Sequence, residues 1–147
     1  MHPDMIANKN PAPVGLSQYT NSLIVWNEAH DTGIHIINEQ HRSIIGTINT
    51  LFHHMINSKG KNISGAIAIT FKHLLQIHFE TERLYLVSSD CTYMNMYDMH
   101  CHDTREQFFR VEITSRSVND PTVLLDFFKT WWSVHMECHT NYYTSWL

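Results

Sequence analysis

Seven ionisable residues stand where a helical sequence should be apolar. His78 and Glu82, His102 and Glu106, and His135 and His139 are each spaced i, i+4. Both side chains of such a pair leave the same helix face, one turn apart. His41 interrupts a stripe of Ile34, Ile37, Ile44, Ile48, Leu51 and Met55. Histidine is abundant throughout, with twelve in 147 residues against ten Lys and Arg combined. Imidazole and carboxylate together suit iron, manganese or zinc, and helical bundles build two-metal sites from such pairs on facing helices. One histidine in a stripe is ordinarily a core residue satisfied by a hydrogen bond, and one HxxxE motif on a helix says little. Seven on four successive stripes say more. Burying their carboxylates unpaired costs several kcal/mol each, so either mutual hydrogen bonds or bound metal must offset the cost.

Four helices are needed to position such a set, and the sequence supplies them. Met1 to Gln18 holds Pro3, Pro11 and Pro13 and reads as an extended arm. Tyr19 to Trp26 is short, apolar and without helical period. From Thr32 the period becomes helical, in the stripe that carries His41. Ser58 to Asn62 breaks it with Gly60 and polar neighbours. A second helix follows Ser64, with Ile67, Phe71, Leu74, His78, Glu82 and Tyr85 in register, and ends around Ser88 to Thr92. A third carries His102, Glu106, Phe109 and Ile113 and stops near Ser115. Asp120-Pro121 is an N-cap followed by proline in the first turn, and opens a fourth with Leu124, Phe128, Trp131, His135 and His139. The expected architecture is all-α: an antiparallel up-down-up-down four-helix bundle with an extended N-terminal arm. Residues 1–147 read as one domain, with the arm over 1–31 and the bundle over roughly 32–140.

Composition narrows the function classes. Apolar residues make up 43% and charged residues 16%, which argues against disorder. A net charge of -4 leaves no basic surface for nucleic acid. No apolar run approaches the roughly 20 residues of a membrane span. The three cysteines (Cys91, Cys101, Cys138) cannot all pair within one chain and show no CxxC spacing. With no apolar stretch behind a basic start, a reduced, cytoplasmic setting is expected. A bundle of this size is expected to be a monomer or a weak oligomer.

The residues also carry a family resemblance. Trp26 followed by Thr32-Gly33-Ile34, Ile37-Asn38-Glu39-Gln40-His41, and Ile48-Asn49-Thr50-Leu51 form one set. His78-Phe79-Glu80-Thr81-Glu82 forms another, and His102 stands seven residues before Phe109. Phe128, Trp131, His135 and Tyr143 complete the order. From Trp26 to Tyr143 the chain resembles the hemerythrins, in particular the bacterial hemerythrin-like proteins. The resemblance implies a non-haem centre of two iron ions with a bridging oxygen species, which binds dioxygen reversibly. It implies that His41 and His78 hold one iron, that His102 and His135 hold the other, and that Glu82 bridges them. Ile44, Phe79, Trp131, Trp132 and Met136 would line the dioxygen pocket, and the Trp26 segment would pack across the bundle.

Three positions depart from the family pattern. The second histidine of helix three is Glu106 here, and the final aspartate is Thr140. One exchange would remedy both losses: Glu106 would bridge the metals, and His139, one turn after His135, would supply the missing imidazole. Glu137 lies on the other side of that helix. In the pocket, Trp132 replaces the usual leucine, and its larger indole should narrow the space or shield its contents. The other histidines read as ordinary: His2, His30 and His35 in or beside the arm, and His53, His54 and His73 on the surface. His100, two residues from His102, points elsewhere, and Cys101 and Cys138 sit off the stripes.

The leading expectation is therefore dioxygen binding, for storage, delivery or sensing, rather than catalysis. His-rich donors favour it, because neutral ligands stabilise the reduced metal. Three rivals stand beside it, the last an apo bundle with a polar core, ranked lowest because its uncompensated ionisable groups would be costly. A carboxylate moved into helix three suits a di-iron oxidase or peroxidase-type enzyme, which peroxide turnover would reveal. A metal-binding or redox-sensing module without reversible dioxygen binding suits the bulky Trp132 and the lost aspartate.

Overall fold

The computed structural model describes residues 22–57 and 63–147. Four helices account for most of them: α1 (His35–Asn57), α2 (Ser64–Ser88), α3 (Met94–Val118) and α4 (Pro121–Cys138). They pack as antiparallel pairs, with α1 against α2 and α4, and α3 against α2 and α4, which closes a four-helix bundle. The proline-rich stretch and the Ser58 to Asn62 break lie outside the described residues. No described helix is long and apolar enough to cross a membrane.

The helix ends follow from local chemistry. Asp120 caps α4 by accepting a 2.9 Å hydrogen bond from the Thr122 amide, and Pro121 follows with its backbone angle already helical. Ahead of α1, Gly33 takes a φ of +78°, a conformation that strains other residues. Asp31 accepts from the Gly33 amide at 2.8 Å and from the Asn38 side chain at 2.7 Å. Those bonds, the Gly33 amide first, hold the Asp31 carboxyl below the usual range. Asn49 then grips the incoming chain with two bonds to the Ile24 backbone, at 2.9 and 2.8 Å. Leu23, Ile24 and Trp26 thereby pack against the bundle, with the Arg42 guanidinium over the Trp26 ring.

Three of the four stripes lie where the sequence places them, except that Tyr85, at the end of the α2 stripe, is exposed. Ile37, His41, Ile44, Ile48 and Leu51 are buried on α1. Ile67, Phe71, His78 and Glu82 are buried on α2, and Leu124, Phe128, Trp131 and His135 on α4. The core below the polar residues is an aromatic stack, in which Phe71 lies 3.8 Å from Phe128, centroid to centroid.

Helix α3 differs. Its inward residues are Tyr97, Cys101, Thr104 and Phe108, about one residue earlier than the stripe of His102, Glu106, Phe109 and Ile113. Phe109 is 60% exposed and Ile113 42%. Each residue advances a helix by about 100°, so a one-residue offset turns the expected stripe to solvent. The helix also runs past Ser115 to Val118.

Candidate metal centre

Five of the seven expected donors meet in the core. His41 comes from α1, His78 and Glu82 from α2, His135 from α4, and His139 from the turn after it. One ligand atom from each lies within 4.8 Å of all the others, and all five residues are buried. The i, i+4 spacing accounts for the convergence of the α2 pair and of the α4 pair. After Cys138 the chain continues as a wider π-helical turn, His139–Tyr143, in which the Thr144 amide bonds back to the His139 carbonyl. Thr140, the position where the resemblance expected an aspartate, is exposed.

His102 and Glu106 are not part of this cluster, and the expectation for α3 is corrected here. Their side chains are 67% and 53% exposed and pair with each other at 3.5 Å on the outer face. The register of α3 leaves no inward carboxylate or imidazole at those positions. Of the two exchanged residues, His139 lies in the buried cluster and Glu106 does not.

Apart from the His139–Glu82 contact, which is a short hydrogen bond, the donor atoms are spaced as around an ion. His41 Nε2 lies 3.0 Å from His78 Nε2 and 3.3 Å from His135 Nε2, and the last two are 3.0 Å apart. Glu82 Oε2 lies 2.6 Å from His139 Nε2, 3.0 Å from His78, 3.6 Å from His135 and 3.9 Å from His41. With metal–ligand bonds of about 2.1 Å, neighbouring donors sit about 3.0–3.4 Å apart and opposite donors about 4.2 Å.

The outward nitrogens show how the imidazoles are held. The Thr81 hydroxyl donates to the Ile77 carbonyl at 2.9 Å, so its oxygen accepts the Gln40 amide N–H, also at 2.9 Å. The Gln40 carbonyl oxygen is left facing His78 Nδ1 at 3.0 Å. His78 must then carry a proton on Nδ1, which leaves its Nε2 facing the cluster. His135 Nδ1 lies 3.1 Å from His100 Nε2, and His139 Nδ1 lies 3.5 Å from the Thr144 hydroxyl. Partners on the far nitrogen are how proteins orient metal-binding histidines. Two buried atoms of the cluster, His41 Nδ1 and Glu82 Oε1, have no hydrogen-bond partner among the described residues.

Electrostatics set the charge state. Burial, reinforced by the neighbouring imidazoles, keeps His41 far below its usual range. Burial also pushes His135 down to about 3 against the opposing pull of Glu82. For Glu82, burial acts to raise the carboxyl, but His78, His139 and His135 together outweigh it and hold it well below the usual range. At neutral pH the core thus contains a carboxylate, and His41 and His135 are neutral donors, as metal binding requires of its ligands.

Sequence reasoning missed two residues. His100 stacks on His135 with ring centroids 5.3 Å apart, and lines a groove of about 330 Å³ with Thr104, Phe127, Trp131 and Val134. The inward register of α3, beginning at Tyr97, puts His100 on the flank facing α4. His30 meets Trp132 edge-on at 5.4 Å and so closes the side of the site beneath the Trp26 segment. Three of the expected pocket residues lie against the same cluster. Trp132 meets His41 edge-on at 5.5 Å, Trp131 stacks on His135 at 4.6 Å, and Phe79 lies 6.1 Å from His78. Ile44 is buried and Met136 half-buried.

Compared with models of protein families, with curated proteins and with solved structures, the chain finds no match. Its standing rests on the residues themselves: a four-helix protein with a buried His/Glu cluster fit for metal.

Gln40 offers a direct check on this geometry. Replacing it with leucine removes the acceptor for His78 Nδ1 while leaving the donors in place. Metal affinity is expected to fall about 10- to 100-fold with the fold intact, measured by competition against a chelator. Unchanged affinity would count against an oriented metal site.

Proposed function

We propose that this protein holds iron in the core of its bundle and binds dioxygen there, for storage, delivery or sensing. The observation that carries the reading is the convergence of four imidazole nitrogens and one carboxylate oxygen in a buried space, all within 4.8 Å. Reduced iron in that space would supply the electron density that dioxygen needs in order to bind.

The surrounding residues support binding over turnover. Four of the five donors are histidines, and His41 and His135 are held neutral, which favours the reduced metal. Phe79, Trp131 and Trp132 set apolar rings against the cluster, which keeps water away from a bound ligand. The expected second carboxylate, Glu106, stands on the surface, which weakens the likeness to oxidase-type bundles with several inward glutamates.

One observation favours a second reading. Glu82 Oε1 is buried without a partner, and coordination through both carboxylate oxygens would raise the protein donors from five to six. An octahedral ion would then have no position for dioxygen, and the protein would be a metal-holding or redox-sensing module.

The deciding experiment is the visible absorption spectrum of iron-quantified protein, reduced and then cycled between dioxygen and argon. A charge-transfer band that appears and bleaches over repeated cycles is the expected result. Oxidation that argon does not reverse would favour an oxidase or redox sensor. Reduced iron that dioxygen leaves unchanged would favour the metal-holding module.

A further inference from the structure

The donor geometry points to a single metal ion in this core, held by His41, His78, His135 and His139 through Nε2 and by Glu82 through Oε2. This rests on the cluster being a metal site, and it departs from the two-ion centre that the resemblance implies.

The first argument is span. Two ions in a shared site lie about 3.5–4 Å apart, so terminal donors on their far sides are separated by up to about 8 Å. Here the five ligand atoms all lie within 4.8 Å of one another, close to the diameter of one coordination sphere.

The second argument is the carboxylate. A glutamate that bridges two ions offers each a different oxygen, and each oxygen faces its own group of histidines. In this core a single oxygen, Glu82 Oε2, lies within 3.9 Å of the Nε2 atoms of all four histidines. Its partner Oε1 meets no donor. The carboxylate is one corner of a polyhedron and does not span two.

The third argument is the supply of donors. The residues expected to complete a second ion's set, His102 and Glu106, are on the outer face. Helix α3 turns Tyr97, Cys101, Thr104 and Phe108 inward instead. His100 already directs its Nε2 to the outward nitrogen of His135. Among the described residues, no other group of three or more His, Cys, Asp or Glu side chains converges.

The test uses the full chain, loaded without oxygen. Fe(II) is titrated in and the complex weighed by native mass spectrometry. In parallel, Mn(II)-loaded protein is read by electron paramagnetic resonance. One ion per chain is expected, with saturation at one equivalent and the six-line manganese signal of an isolated ion. Two ions per chain, or a spin-coupled manganese spectrum, would overturn the single-ion assignment and leave the metal-site reading standing. No bound metal would overturn both. Neither readout involves dioxygen, so a chain that holds one ion and ignores dioxygen upholds this inference while refuting the proposed function.

Discussion

Stripping the bound metal with a chelator is expected to lower the melting temperature by about 10 °C. A ligand present at about 1,000 times its dissociation constant stabilises the folded state by about 4 kcal/mol. For a chain of this size, each kcal/mol moves the melting temperature by roughly 2–4 °C. The structural reason lies in the five donors. In the metal-free fold, a buried carboxylate and four imidazoles stay packed at 2.6–3.9 Å, with Glu82 Oε1 and His41 Nδ1 unpartnered. Unfolding returns each of them to water, whereas a cation satisfies the converging lone pairs only in the fold. Calorimetry with iron, and then with excess chelator, checks the effect. Melting temperatures that agree within a degree would mean that the cluster is held by its own hydrogen bonds and that metal contributes nothing.

The limits of sequence reading show most clearly on α3. On α1, α2 and α4 each polar donor interrupts a run of large apolar residues, so the inward face is unambiguous: Ile37, Ile44 and Ile48 bracket His41, and Phe128 and Trp131 precede His135. Helix α3 buries Thr104 and Cys101, small residues that an apolar pattern does not single out. It also holds adjacent phenylalanines, Phe108 and Phe109, which permit two registers one residue apart. The pairing of His102 with Glu106 favoured the wrong one. Tertiary contacts decide the matter. The Tyr97 hydroxyl donates to the Phe79 carbonyl at 3.1 Å, and the Trp131 indole donates to Thr104 Oγ1 at 3.2 Å. Both bonds cross between helices, where no local pattern can announce them. Once this register is set, His100 comes to rest beside His135, which a stripe through His102 had turned away.

Two substitutions that look equivalent in the sequence should therefore part company. Changing His139 to alanine is expected to weaken metal binding at least about 100-fold, more than the loss of an orienting partner would. Its Nε2 is 2.6 Å from Glu82 Oε2, and its buried ring packs edge-on against His41 and His135. Changing Glu106 to alanine is expected to leave affinity unchanged within about twofold. That side chain is half exposed and pairs with His102 and Arg110 on the outer face, contacts that contribute little in water. Chelator competition on both variants, with circular dichroism to confirm helix content, measures the contrast. A weakened Glu106→Ala variant would place α3 in the metal's coordination sphere, and would require the bundle to turn that helix when metal binds. An unaffected His139→Ala variant would instead show that the π-helical turn after Cys138 is structural, and that three histidines and Glu82 suffice for the site.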